Sequence, residues 1–154
     1  MKLFDVYGWA LPKLPTVLNQ YKDNPQITNL VKNYYAGLQS FALWFLLIAV
    51  VLSLILFFVY YWPYNNRPGR HYVWHKWFAF LGAVSGSVFL LTIIVCAFLR
   101  CPLPALWWQT ALLTALVNTL YAVLLYLVCS FVLCQIPSTV SKTNAYPFMK
   151  IKRK

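Results

Sequence analysis

From Phe41 to Trp62 the chain carries no charged side chain, and the same holds from Trp77 to Leu99 and from Leu106 to Leu133. About 20 apolar residues let a helix cross the hydrocarbon core of a bilayer, so each run predicts one transmembrane helix. The third run exceeds that length, which predicts tilt or protrusion into an interface. Between the second and third runs, Arg100-Cys101-Pro102-Leu103-Pro104 carries two prolines. Proline ends a helix and removes a backbone donor, so a tight turn is expected there. Between the first and second lies the stretch from Tyr60 to Trp77, polar and basic, with aromatics on both sides. Trp and Tyr rings favour the membrane–water interface. This loop is therefore expected to pin the first two spans at a defined depth.

Before the first span the period is helical. Ile27, Leu30, Val31, Tyr34, Tyr35 and Leu38 share one side, and Gln26, Asn29, Lys32 and Asn33 take the other. Asp23-Asn24-Pro25 is a helix-start signal, with Pro25 acceptable at the first helical position. An amphipathic helix is expected, leading straight into the first span and lying in the interface plane or on a partner. Upstream, Leu3, Phe4, Val6, Tyr7, Trp9 and Leu11 are apolar but are broken by Gly8, Pro12 and Pro15. This stretch lacks the apolar core of roughly 7–15 residues and the small-residue cleavage site of a signal peptide, so the first span is expected to serve as an uncleaved anchor. The fold class that follows is an all-α integral membrane protein, with three transmembrane helices (about 41–62, 77–99 and 106–133) preceded by an amphipathic N-terminal helix. The expected divisions are an interfacial segment 1–37, a membrane domain 38–134 and a basic polar tail 135–154.

Composition agrees. The chain is 62% hydrophobic and 10% charged, with a mean hydropathy of +0.64, against roughly 25% charged in soluble domains. Its net charge is +11, and Asp5 and Asp23 are its only acidic side chains. Nucleic-acid binders usually carry such charge on a soluble fold. Here the cations sit at the ends of apolar runs, so the bilayer is the expected partner and nucleic acid is not. Arg67, Arg70, Lys76, Lys142, Lys150, Lys152 and Arg153 lie on one side of three spans, and Lys22, Lys32 and Arg100 on the other. The excess of Lys and Arg on cytoplasmic segments predicts the loop and tail inside and the N-terminus outside. The expected location is the inner (cytoplasmic) membrane, or alternatively the mitochondrial inner membrane.

Two intramembrane patterns stand out. Gly82 and Gly86 form a GxxxG, beside a row of Ala79, Ala83 and Ser87. Such residues let helices approach closely, and contact with a neighbouring helix of the same chain is the expected use. Thr110, Thr114, Asn118 and Tyr121 form a polar stripe on the third span. Hydrogen bonding within the bundle is expected of it, with the wall of an aqueous path as the alternative. Lipid-headgroup or partner contact falls to Arg67, Arg70, His71, Lys76, Lys150, Lys152, Arg153 and Lys154.

Candidate chemistry is sparse. His71 and His75 share a helical face and are the only metal-ligand candidates, with no carboxylate nearby to complete a site. Cys96, Cys101, Cys129 and Cys134 contain no Cys-x-x-Cys pair and are expected to pack as apolar side chains. Phosphate-loop and dinucleotide fingerprints are absent. The spans lack the Asp or Glu that proton pumps and cation channels use. No cofactor and no enzymatic activity are expected. The expected function is a membrane anchor or scaffold subunit of a larger complex, a secretion or injection machine or an energy-converting complex, held by other membrane subunits or by its own copies. Three spans, an outside N-terminus and a basic tail resemble the layout of one class of phage holins. That resemblance implies an oligomeric pore-former as the alternative, with Thr114, Asn118 and Tyr121 as lining. A membrane immunity protein that binds a toxin is the third reading.

Overall fold

The computed structural model describes residues 5–64, 74–99, 101 and 103–135. Among these it contains helices and turns and no strand. The helices are α1 (Asp5–Gly8), α2 (Leu14–Gln20), α3 (Pro25–Val59), α4 (Trp74–Ala97) and α5 (Pro104–Gln135). Three of them are long and apolar enough to cross a membrane.

Helix α3 begins where the sequence predicts. Asn24 caps it, its Oδ1 accepting the Ile27 backbone N–H at 3.3 Å, and Pro25 takes the first turn. The amphipathic segment and the first span form one unbroken helix of 35 residues. At about 1.5 Å per residue it runs roughly 52 Å, against about 30 Å of hydrocarbon. Its outward face records the excess. Asn29, Lys32, Asn33, Gln39 and Ser40 are exposed at the start, and Leu43, Trp44, Leu47, Val51 and Ile55 further on. Leu30, expected on the buried side, is exposed, while Val31, Tyr34, Tyr35 and Leu38 are buried. After Val59 the chain widens into a π-helical turn, Tyr60–Tyr64, which contains Pro63. A proline without an N–H cannot continue the ordinary ladder.

The three long helices pack up, down and up. Bonds from α3 to α5 advance in the same order along both: Tyr34 with Thr110, then Ser53 with Ala122. Bonds between α4 and α5 run in reverse: Trp107 with Cys96, Asn118 with Thr92, Trp77 with Ser130. On α3 the inward seam includes Ala42, Ala49 and Ser53, the stripe of small residues that the sequence sets among the bulky Leu, Ile, Val and Phe of the first span. Ala111, Ala115 and Ala122 of α5 are likewise buried. Ser53 Oγ donates to the Ala122 carbonyl at 3.1 Å, a bond that requires close helix approach at a small residue. Trp108, Leu112, Leu116, Leu120, Leu124 and Val128, spaced four apart, line the outside of α5. A continuous apolar stripe of this kind is what lipid solvates and water does not.

The N-terminal segment does not lie apart from the bundle. Tyr7, Leu11 and Val17 are buried with α3 and α5 in one core cluster. The Tyr35 hydroxyl donates to the Pro12 carbonyl at 2.9 Å. The segment thus runs antiparallel to the first half of α3, with Tyr7 level with Phe45 and Asn118. At the opposite end, Tyr60, Tyr61 and Trp77 are buried among Phe57, Phe80 and Tyr126 rather than spread along lipid. Trp62, 50% exposed, keeps the expected outward position. These rings bury more apolar area by joining all three helices than any would gain singly at the surface.

Candidate functional site

The polar stripe of α5 faces inward. Asn118, fully buried, accepts the Tyr7 hydroxyl proton on Oδ1 at 2.9 Å and donates from Nδ2 to Thr92 Oγ1 at 2.8 Å. Thr92 passes its own proton to the Val88 carbonyl at 2.7 Å. Thr110 lies 2.6 Å from the Tyr34 hydroxyl, and Thr114 bonds back to the Thr110 carbonyl at 2.8 Å. Tyr121, half-buried, donates to the Val6 carbonyl at 2.6 Å and accepts from Trp9 Nε1 at 3.2 Å. Every member of the stripe thus has a protein partner. A buried amide left unbonded costs several kcal/mol in hydrocarbon, which explains why the stripe turns into the bundle.

Four of these partners, Tyr7, Trp9, Tyr34 and Thr92, were not read from the sequence as polar contacts. For Tyr7 and Trp9 the available signal was their aromatic side chains ahead of Pro12, each with a polar tip that seeks a partner. Trp107, near the start of α5, donates Nε1 to the Cys96 carbonyl at 3.0 Å. That bond is a second one to this carbonyl in the last turn of α4, which also accepts the Leu99 backbone N–H at 3.0 Å.

The small-residue face of α4 does the opposite of what its pattern predicts. Ala79, Gly82, Ala83 and Gly86 are exposed and Ser87 is half-buried. Among the described residues nothing lies within 4 Å of where a Cβ would sit on Gly82 or Gly86. Among the described residues the expected contact within the chain is therefore not made. Helix α4 instead turns Val84, Val88, Thr92 and Cys96 inward. The bond from Asn118 to Thr92 lies on that inward side and holds the rotation. Ser87 Oγ returns its proton to the Ala83 carbonyl at 2.7 Å. Around the same bundle other outward positions are large: Phe78, Leu90, Ile94 and Phe98 on α4 itself.

Of the headgroup and partner candidates, Lys76 is exposed near the start of α4. Arg67, Arg70, His71, Lys150, Lys152, Arg153 and Lys154 lie outside the described residues. His75 falls in the first turn of α4. Among the described residues, no three His, Cys, Asp or Glu side chains come together. Cys96 is buried, and Cys101 and Cys129 are half-buried as free thiols. Burial pushes the Cys101 thiol, in the turn between spans, above its ordinary range. No family model matches the chain, and no curated protein or solved structure matches it either.

Proposed function

We propose that this chain is a non-enzymatic multi-pass anchor, a subunit held in a larger membrane assembly through the small-residue face of α4. One observation carries the reading. The bundle saturates its polar stripe internally while presenting Ala79, Gly82, Ala83 and Gly86 outward. Helix association in lipid depends on close packing, since lipid tails remove the hydrophobic drive. A smooth, unoccupied small-residue face suits another helix better than it suits acyl chains. The proposed partners are the bilayer and other membrane subunits, or further copies of the chain. The proposed location is the inner membrane, with the loop and tail in the cytoplasm, on the strength of the cation distribution.

The test is a gentle-detergent pull-down of the tagged full chain, read by mass spectrometry, for the wild type and for Gly82→Leu/Gly86→Leu. The wild type should bring down unlike membrane subunits in fixed stoichiometry. The double variant should lose them while its own thermal unfolding in detergent stays unchanged, because among the described residues nothing lies within 4 Å of either added Cβ. Retention of every partner by a folded double variant would refute the reading. So would collapse of the membrane potential on overproduction, which a pore-former gives and an anchor does not.

A further inference from the structure

A cavity of about 430 Å³ opens between the N-terminal segment and α3, lined among others by Leu11, Lys13, Lys32, Tyr35, Ala36 and Gln39. Its size is typical of small-molecule sites, which run roughly 300–1,000 Å³. Among the described residues that line it none is acidic, so Lys13 and Lys32 bring positive charge with no internal counter-ion. Both lysines are exposed.

The depth of this cavity follows from helix register. Tyr34 is bonded to Thr110, so Lys32 lies about 3 Å further toward the end where α3 begins. That sets it level with Trp107 and Trp108, where the apolar run of α5 starts. Lys13 follows Pro12, whose carbonyl is held by Tyr35, and so lies at nearly the same depth. From there the lining continues inward as Leu11, Ala36 and Gly8. The cavity is cationic at headgroup depth and mostly apolar further in, where Gln39 also reaches its wall. That gradient matches one amphiphile of opposite charge.

We propose that this groove is a binding site for an anionic phospholipid, its phosphate held between Lys13 and Lys32 and an acyl chain laid against Leu11 and Ala36. Basic pockets between membrane helices take anionic headgroups on the cytoplasmic side, and the same charge complementarity acts at the outer face, where the proposed orientation puts this groove. A lipid held there would tie the N-terminal segment to α3 beside the contact between Tyr7 and Asn118. The proposal stands whether or not the α4 face recruits other subunits.

The experiment uses the purified full chain in detergent, with retention of phosphatidylglycerol against phosphatidylcholine measured by native mass spectrometry. The wild type should retain phosphatidylglycerol preferentially. Lys13→Gln and Lys32→Gln should each cut that preference about fivefold, and the pair should abolish it. Lys13→Arg/Lys32→Arg should preserve it, and Lys76→Gln, outside the groove, should leave it unchanged. Ala36→Trp fills the apolar floor with the charges intact and should lower retention. Equal retention of the two lipids by the wild type would overturn the proposal. It is equally overturned if Lys76→Gln has the same effect as the groove variants, or if Ala36→Trp has none. Displacement of the lipid by millimolar inorganic phosphate would mark the groove as a free-anion site and not a lipid site.

Discussion

The bond between Tyr7 and Asn118 joins residues 111 positions apart in sequence, and it places the N-terminal segment inside the bundle. Replacing Asn118 by Leu removes both polar atoms and keeps the branching. The Tyr7 hydroxyl is then buried without a partner, and Thr92 loses an accepted bond while keeping its own to Val88. In soluble proteins an orphaned buried group costs about 1–3 kcal/mol. Interhelical hydrogen bonds in lipid average about 0.6 kcal/mol and reach about 1.7. From these two ranges, Asn118→Leu should cost about 2 kcal/mol. Tyr7→Phe, which orphans Asn118 Oδ1, should cost about 1 kcal/mol. The double variant removes both orphans together and should cost about 2 kcal/mol rather than the additive ~3, a coupling of about 1 kcal/mol. Any packing cost of the introduced leucine falls on both edges of the cycle and cancels. The assay is reversible unfolding in mixed micelles, titrated with SDS and followed by tryptophan fluorescence. Independent sites add to within about 0.3–0.5 kcal/mol. Additivity at that level, or a Tyr7→Phe variant as stable as the wild type, would refute the docking of the N-terminal segment against α5.

Further outcomes follow from the same packing. Among the described residues the buried Tyr126 hydroxyl has no hydrogen-bond partner, so Tyr126→Phe should be neutral or stabilise by up to about 1 kcal/mol; a loss larger than that of Tyr7→Phe would show that the hydroxyl is bonded. At Gly37 a Cβ would sit 3.2 Å from Leu99 Cδ2, the tip of a flexible side chain. Gly37→Ala should stay within about 1 kcal/mol of the wild type, since the helix gain of about 1 kcal/mol offsets the shift of Leu99. Gly37→Leu should lose about 1–3 kcal/mol by overpacking, and equal melting of both variants would contradict the contact. Cys101 should react with impermeant maleimide from the non-cytoplasmic side. Its reaction should be slower at neutral pH than that of an exposed thiol and should keep accelerating with pH where an exposed thiol has levelled off, because burial pushes the thiol up. Labelling only from the cytoplasm would reverse the proposed orientation.

By itself the sequence determined the solvent and the elements. Uncharged runs long enough to cross a bilayer leave the backbone one economical solution, since only a helix satisfies its own polar groups locally. The capped start at Asn24-Pro25, the two polar interruptions and the inward Ala42-Ala49-Ser53 seam are local or periodic features, and they were legible for that reason. The tertiary structure decided which face of each helix meets which neighbour. In an apolar helix both sides are acceptable to lipid, so hydrophobicity carries no rotational information. The rotation of α4 is set by a few polar atoms, Asn118 reaching Thr92, against which the row of Gly82 and Gly86 had no vote. The placement of Tyr7 beside Asn118 depended on a contact across most of the chain. No period or spacing encodes such a contact, and only the need of a buried amide for a partner accounts for it.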